Sequence, residues 1–369
     1  MVIPKYMDII SILKRPNEGS QDKWKIDGIW YKQDSDYCGN EGLAEAISSA
    51  ILRKSNFDRF IDCSAEMIIR NGQEYTGCSS PDFLKKGEKL LNSAKCLYLA
   101  KSTFVNDFDE IYSHTQLHEN IKKYVDEMQK HTGLNHFGEY LTKMLEFDKL
   151  TLNTDRHFSN ISVLTIGKRF DYAPIFDNGR SFGLRREHFK LYKSGESIEN
   201  IVSQSDARPF SSIYKKQAEA ARELYSPQFS TSFSKEDLKQ TLDECSEVYP
   251  DDILKYAEEI VLYQMQQNRE FFVGKESEKW KDKISAIAEE YGEYSLEDIK
   301  DGLLLSSSID QGASVFIPYS GEATVLDKSN RPIDWSDLVL KHINLLPLYR
   351  EVCSVEKKPD ISQEKNIDR

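Results

Sequence analysis

A polar segment between apolar runs constrains this chain more than any other feature. It has the sequence NTDRHFSN and covers Asn153 to Asn160. A strand is predicted directly after it, at Ile161 to Ile166, followed by a Gly-Lys turn. The run from Tyr172 to Phe176 predicts a second, buried strand. Asp177 is therefore expected at a strand end, and the glycine of the Asp-Asn-Gly sequence permits a sharp turn there.

Three side chains in this block have the spacing of a phosphoryl-transfer site. Asp155 and Asn160 stand five residues apart. In kinase catalytic loops this spacing places a proton-accepting carboxylate beside a metal-binding amide. Asp177 would supply a second oxygen ligand of the kind that Mg²⁺ prefers. The alternative is ordinary turn chemistry, in which Asp and Asn bond to nearby backbone. The order of loop, strand, turn and strand favours ATP-dependent transfer, with Asp155 as base and Asn160 and Asp177 as Mg²⁺ ligands.

A hairpin near the N-terminus offers a place for the phosphates of ATP. Its Asp27-Gly28 turn predicts a two-residue connection that sets Lys23 opposite Lys32. Because directly opposed like charges destabilise a strand pair, an anion such as a triphosphate is expected over that face. The alternative is a solvated basic edge strand. The preceding turn could cap the same phosphates with its backbone amides, and its residues are Gly19, Ser20 and Gln21.

A helix is predicted after this hairpin, from Glu41 to about Lys54. Its apolar stripe leaves Glu41 and Glu45 on the other side. Kinases orient the nucleotide lysine with an ion pair to a helix glutamate, and either residue could form it with Lys32. The periodicity leaves both open.

Further elements are predicted from periodicity and turn signals. An Asn71-Gly72 turn within 60–75 predicts a second hairpin, with an inter-lobe hinge nearby. The long polar stretch 180–212 is expected to be a connection that gates the acceptor. Helices are predicted over 117–130, 134–149, 235–248 (capped by Ser234), 251–272, 280–291 and 335–352, and a strand pair over 313–326.

The chain resembles the HipA-like kinase family, in particular its compact bacterial serine/threonine branch of the CtkA type. The resemblance spans about residues 10 to 275, and the catalytic block is its specific part. A more distant likeness to phosphoinositide-type kinases lies in the Asp-Arg-His sequence of the loop. The blocks that carry the resemblance are 19–23, 31–34 with 40–43, 78–84 with 87–88, 153–160 with 174–179, and 208–211 with Gln217.

The resemblance implies a two-lobed α+β kinase fold, with a small β-rich N-lobe and a larger helical C-lobe. The implied divisions are 1–75 for the N-lobe and 76–275 for the C-lobe. From residue 276 onward the family likeness fades, and the residues themselves predict a small α/β appendage at 276–354 and a disordered tail at 355–369.

The family pattern also assigns roles to residues. It implies Asp155 as base, Asn160 and Asp177 as metal ligands, Lys32 on the phosphates and Glu41 as the helix glutamate.

Three more residues are placed at the nucleotide site. Backbone at Met67 and Ile69 would meet adenine if that strand runs into the hinge. His157 is expected to brace the catalytic loop by hydrogen bonding. The family's self-silencing serine is replaced by Pro16, so inactivation by that route is not expected.

Composition favours a cytoplasmic enzyme. The 369 residues are 39% hydrophobic and 30% charged, enough for two lobes and an appendage. The net charge of -12 disfavours a nucleic-acid partner and favours a basic protein substrate carrying Ser or Thr. No run reaches the length of a membrane span, and Asp8 interrupts any signal-peptide core. The six cysteines lack Cys-x-x-Cys spacing and are expected to be reduced thiols.

Two alternatives to a protein kinase stay open. One is transfer to a lipid or small molecule, as in phosphoinositide-type kinases. The other is a nucleotide-binding interaction module, or the toxin of a toxin–antitoxin pair with a small antitoxin-like partner. All the side chains that catalysis requires are present, which favours an enzyme.

Overall fold

The computed structural model describes most of the chain up to residue 272 and parts of the remainder. The described residues are 5–6, 21–102, 114–272, 286–289, 294–299, 302–307, 313–318, 324–327, 331–333, 348–350 and 352. The chain divides into two compact units, Met1–Phe272 and Val273–Arg369. Helices and largely antiparallel sheets both contribute to the first unit, which confirms the predicted α+β class.

The first unit contains a five-stranded sheet in the order β1-β4-β5-β3-β2. The predicted register of the first hairpin is confirmed, because Lys23 pairs with Lys32 across it. Asp27 and Gly28 have φ values of 48° and 81°, as the tight turn requires. The strands are β1 (Lys5–Tyr6), β2 (Lys23–Ile26), β3 (Ile29–Gln33), β4 (Ser64–Arg70) and β5 (Gln73–Pro81).

The second predicted hairpin is also present, but the structure contradicts the hinge expected beside it. After Ile69 the chain reverses at Asn71-Gly72 and re-enters the same sheet as β5. Met67 pairs with Thr76 in this ladder, and Ile69 pairs with residues on both neighbouring strands. β4 therefore does not run into a connection between parts of the fold. The chain leaves this sheet only after Pro81, where β5 ends.

Helix α1 (Glu41–Arg53) packs on the five-stranded sheet and confirms the predicted helix. Leu43, Ile47 and Ile51 are fully buried, so the apolar stripe enters the main core. The helix approaches β5 most closely at Gly42. A Cβ atom at that position would lie 2.3 Å from the carbonyl oxygen of Gly77. Only glycine allows this approach.

A three-stranded sheet follows, in the order β6-β7-β8, and contains β6 (Glu88–Asn92), β7 (Ser162–Ile166) and β8 (Arg169–Tyr172). β7 was predicted, whereas the strand expected at 172–176 instead ends at Tyr172. Pro174 has no N–H to donate to a ladder, which is one reason that regular pairing stops. Beyond it, Ile175 makes only an isolated bridge with Phe60. Asp177 thus follows a short irregular segment, not a strand end.

Helices surround this sheet and form the largest buried core. The predictions near 117–130, 134–149, 235–248 and 251–272 are confirmed with shifted ends, and the Ser234 cap is a capping box with Asp237. The helices are α2 (Ser93–Leu99), α3 (His114–Thr132), α4 (Phe137–Thr151), α5 (Arg186–Lys193), α6 (Ile198–Ser203), α7 (Tyr214–Tyr225), α8 (Lys235–Cys245) and α9 (Asp251–Gln267).

The segment 180–212 is not the loose connection that its polarity predicted. It includes α5 and α6, and its apolar residues pack into the core. Phe182 and Ile201 are fully buried. A small number of apolar residues at helical spacing is enough to pack two short helices against the core, although the segment is polar overall.

The second unit contains a four-stranded antiparallel sheet in the order β12-β11-β10-β9. The predicted strand pair is confirmed as β11 with β12, while β9 and β10 were not predicted. The strands are β9 (Tyr294–Ile299), β10 (Gly302–Ser307), β11 (Ala313–Pro318) and β12 (Thr324–Asp327). Residues 286–289 and 348–350 are helical, within the helices predicted near 280–291 and 335–352. The rest of those two predictions, and the tail 355–369, lie outside the described residues.

Two predictions about the whole chain can be compared with the described residues. The five cysteines among them are unpaired, buried thiols. None of the helices in the described part of the chain combines the length and apolar character needed to cross a membrane.

Replacing Gly42 by alanine tests the close contact between α1 and β5. Alanine in place of glycine within a helix is normally favourable by about 1 kcal/mol. Here the new methyl group would meet buried backbone that cannot move aside, so we expect a loss of about 1–3 kcal/mol in the free energy of unfolding. Urea denaturation measures it. Gly138→Ala in α4 is the comparison variant, because its Cβ would meet the half-buried Tyr225 side chain, which can change rotamer, whereas the backbone that meets Gly42 cannot. Equal losses at both positions would contradict the interpretation.

Candidate active site

The NTDRHFSN loop connects α4 to β7 and is held by its own hydrogen bonds. The Asp155 amide donates to Asn153 Oδ1 at 2.9 Å, and the His157 amide donates to the Asp155 carbonyl at 2.8 Å. The Asn160 amide then donates to the His157 carbonyl at 2.8 Å. The Asp155 carboxylate remains 26% exposed. The loop therefore fixes its backbone while presenting this carboxylate to solvent.

The side chain of Asn160 is oriented by a hydrogen bond to Asp155, the residue beside which it was predicted to act. Its Nδ2 donates to the Asp155 carbonyl oxygen at 2.8 Å, which fixes which way the amide points. Its remaining polar atom, Oδ1, is a neutral oxygen acceptor. The structure thus brings the predicted base and the predicted metal-binding amide together.

Asp177 and Lys32 meet although 145 positions separate them in sequence. Lys32 Nζ lies 3.3 Å from Asp177 Oδ1 and 2.9 Å from Glu45 Oε1. Burial opposes the charge of Lys32, but the two carboxylates outweigh it and raise the pKa of the ammonium well above its usual value. Burial also disfavours the Asp177 carboxylate, yet Lys32 and Lys23 lower its pKa. Both lysines of the hairpin therefore act at this site, and Asp177 stays ionised.

The helix glutamate that pairs with Lys32 is Glu45, not Glu41 as the family resemblance implied. Glu45 is 2% exposed, and its Oε2 also accepts from the Asn178 amide at 3.1 Å. Glu41 instead folds back on the loop before α1, where it accepts from the amides of Ser35 and Gly39 at 3.1 and 3.0 Å. Glu41 is the first residue of its helix, and its carboxylate accepts hydrogen bonds from the preceding loop. Glu45, one turn later, reaches the lysine.

Asp34 connects the start of α1 to the sheet and to the helices. Its carboxylate accepts from the Gly42 amide at 2.7 Å, the Thr76 hydroxyl at 2.7 Å and the Tyr249 hydroxyl at 2.8 Å. Burial raises the pKa of Asp34 to about 6, although these donors oppose the shift. Sequence reasoning gave this residue no role, because its partners lie far along the chain.

Arg156 is fully buried and bonds to both loops of the site. Its guanidinium pairs with the fully buried Asp148 of α4, with Nε 2.9 Å from Oδ2. It donates to the Asn160 carbonyl at 3.3 Å, the Phe176 carbonyl at 2.9 Å and Asn178 Oδ1 at 2.7 Å. Burial disfavours both charges, and each partner stabilises the other in its charged form. Sequence reasoning missed this residue, because an arginine in a polar loop gives no signal of burial.

The remaining residues that were predicted to contact the nucleotide lie in different places. Gly19 and Ser20 lie outside the described residues, and Gln21 donates to the Gln33 carbonyl at 3.2 Å. Met67 and Ile69 are in β4, away from any connection between sheets.

His157 contributes backbone bonds to the loop. Its ring Nδ1 is buried, and no hydrogen-bond partner for it occurs among the described residues. The expected bracing by hydrogen bonds is therefore made by its backbone.

The donor set suits a magnesium ion that arrives with phosphates. Asn160 Oδ1 and the ionised Asp177 are both hard oxygen ligands, and Mg²⁺ is commonly held by one or two carboxylates together with substrate phosphates. Within the described part of the chain no cluster of three or more His, Cys, Asp or Glu forms a complete metal cage. The residues therefore fit an ion that is shared with the substrate phosphates better than an ion that the protein holds alone.

Comparison with known proteins gives similarity at the level of solved structures. No protein-family model and no curated protein matches the chain. The crystal structure of CtkA, a proinflammatory kinase of Helicobacter pylori, is similar with a TM-score of 0.45 and 12% identity, over 68% of this chain and 91% of that one. HipA, solved with HipB and operator DNA as a toxin–antitoxin system of Shewanella oneidensis MR-1, is similar with a TM-score of 0.34 and 12% identity, over 70% of this chain and 66% of that one.

A double-mutant cycle tests the role of the buried Arg156–Asp148 pair. Arg156→Met leaves a buried carboxylate without compensation, so we expect a loss of about 3–5 kcal/mol in the free energy of unfolding. Arg156→Met with Asp148→Leu should recover only part of it, because both charges are then removed but the carbonyls of Asn160 and Phe176 still lose their donor. Urea denaturation of the four proteins gives the coupling energy. The exposed Lys122–Asp126 pair is the control, with an expected coupling below about 0.5 kcal/mol. Comparable values for the two pairs would refute the assigned role.

Proposed function

We propose that this protein is an ATP- and Mg²⁺-dependent kinase of the HipA-like type that phosphorylates serine or threonine on a protein. The observation that carries the proposal is the Lys32–Glu45 ion pair, with Asp177 beside it. A lysine on the third strand paired with a helix glutamate, next to a metal-binding aspartate, is the arrangement that positions nucleotide in protein kinases. The five-stranded sheet would then be the N-lobe and the helical region the C-lobe.

Each residue of the site has a separate role in the proposed phosphoryl transfer. Bound Mg²⁺·ATP supplies the transferable phosphoryl group. Lys32 offers a fixed positive charge to its phosphates, and Glu45 keeps that side chain in place. Asn160 and Asp177 would hold the ion. Asp155 accepts the proton of the acceptor hydroxyl, and Arg156 keeps the two loops in register so that these groups stay aligned.

Two other functions are alternatives to this proposal. Transfer to a lipid or small molecule is suggested by the Asp155-Arg156-His157 order, which phosphoinositide-type kinases share. A toxin or interaction module would have a small antitoxin-like partner, and its gene is expected next to this one. The complete set of side chains that catalysis requires favours an active enzyme over a passive binding module. We propose a cytoplasmic location, in keeping with the buried thiols.

Asp155→Asn is the first test of the proposal. Loss of a general base typically lowers turnover by about 10²–10⁴-fold. We expect that loss in magnesium-dependent transfer from radiolabelled ATP to protein, while ATP affinity and the unfolding midpoint stay close to the wild-type values. Asp243→Asn, on the exposed surface of α8, is the matched control. Equal activity in the wild type and Asp155→Asn, or no ATP turnover in either, would refute the kinase proposal.

Comparing Glu45→Gln with Glu41→Gln tests which glutamate serves the nucleotide lysine. Glu45→Gln keeps the shape but removes the charge that holds Lys32. Losing a charge-assisted hydrogen bond of about 1.5–3 kcal/mol should lower kcat/KM for ATP by roughly 10- to 150-fold. Glu41→Gln should have a much smaller kinetic effect and act mainly on stability, because its partners are loop amides. A larger kinetic loss at Glu41 would restore the assignment that the family resemblance implied.

A further inference from the structure

Two arginines that sequence reasoning did not single out lie beside the proposed base. Arg180 Nη1 is 3.7 Å from Asp155 Oδ1. Arg185 Nη2 donates to the Thr154 hydroxyl at 2.5 Å, one residue before the base. Both positive charges also act on the buried Cys38 thiol and lower its pKa, against the larger effect of burial, which raises it. The two guanidinium groups therefore share one region next to Asp155.

The backbone that carries these arginines is fixed at several points. The Thr154 amide donates to the Arg180 carbonyl at 3.2 Å, which joins the segment to the catalytic loop. Asn40 Nδ2 donates to the Leu184 carbonyl at 2.9 Å, and the Arg186 amide donates to the Cys38 carbonyl at 2.8 Å. A group held in advance loses less entropy when it binds a ligand. The arginines are thus prepared for a ligand that approaches Asp155.

Arg185 has an unused donor at this position. Its Nε is buried, and it has no hydrogen-bond partner among the described residues. A buried donor without a partner costs about 1–3 kcal/mol, and such groups call for an explanation. Arginine binds carboxylate and phosphate through paired N–H groups, so a shift of the Arg185 side chain that uncovers Nε would let an anion pair with it.

Two positive charges lie beside the base in a chain that is negative overall. The chain carries a net charge of -12, and Arg180 and Arg185 stand next to Asp155. Glu41 and Asp206 are also nearby, but the Glu41 carboxylate accepts from loop amides and Asp206 is exposed. On the same segment the exposed Arg186 and Glu187 offset each other. Two guanidinium groups stand where an acceptor hydroxyl would have to approach, so they favour acidic groups near that hydroxyl.

We propose that Arg180 and Arg185 form an anion subsite, so that the acceptor is a serine or threonine flanked by Asp, Glu or a phosphorylated residue in a peptide. This inference rests on the proposed function and replaces the basic substrate that net charge favoured. A peptide is favoured over an anionic lipid, because membrane recognition uses exposed clusters of about four to eight basic residues. The present pair is small, and the Arg180 side chain is only 30% exposed.

Peptides that differ only in the residues flanking one serine test the subsite. Three peptides carry acidic, neutral or basic flanks, and kcat/KM is measured for each with the full-length protein. We expect the wild type to prefer the acidic peptide over the basic one by about tenfold or more, since suitable pairing of charges is worth over 1.4 kcal/mol. Arg180→Glu and Arg185→Glu should each reverse this order. Arg185→Gln, which can still donate to Thr154, should abolish the preference without reversing it.

Arg169→Glu is the matched control, because Arg169 is exposed at the start of β8 and lies outside the anion subsite. It should keep the wild-type preference. Unfolding midpoints verify that each variant is folded, and the ratio of rates within one variant is independent of the fraction that is active.

The outcomes separate the subsite from the kinase proposal. Activity that depends on Asp155 but shows no flank preference, or a preference unchanged in the arginine variants, would overturn the subsite alone. Phosphate transfer to phosphoinositide vesicles and to none of the peptides would overturn the peptide acceptor. Absence of transfer to every acceptor, with no ATP turnover, would overturn the kinase proposal and the subsite with it.

Discussion

The buried Arg156–Asp148 pair is the interaction on which the rest of the site depends. One guanidinium binds a helix carboxylate, the end of the NTDRHFSN loop and the loop that carries Asp177. Desolvating two charges is expensive, and a buried pair is retained at a net gain only when further hydrogen bonds satisfy it. Here the two loops supply those bonds through backbone carbonyls. The position of the proposed catalytic groups is thus a condition for burying the charge, and the buried charge in turn fixes that position.

A second chain of contacts joins the sheet to the same loops. Lys32 on β3 meets Glu45 of α1, and Glu45 also accepts from the Asn178 amide. Asn178 is in turn a partner of Arg156. Strand, helix and both loops therefore belong to one connected polar network. Displacing any member leaves a buried polar group without its partner, so the site is expected to respond as a unit.

Local features of the fold could be predicted from the sequence, because they depend on residues that are neighbours in the chain. The Asp-Gly turn fixed the register of Lys23 against Lys32, and the Ser234 capping box began a helix as expected. Features that depend on distant partners could not. Periodicity put Glu41 and Glu45 on the same side of α1, and only the position of Lys32 distinguishes them. The burial of Arg156 and the triple contact of Asp34 likewise require the assembled fold.

The anchoring of Asp34 has a consequence for how the proposed enzyme could be controlled. Many kinases are switched by swinging the helix that carries the lysine-pairing glutamate. In this protein that motion would withdraw the Gly42 amide from Asp34, and it would separate Gly42 from the close packing against Gly77. Tyr249 holds the same carboxylate from the helical side. A helix that is held in place at its first turn cannot swing without breaking these contacts. Control would therefore have to act on access to the site.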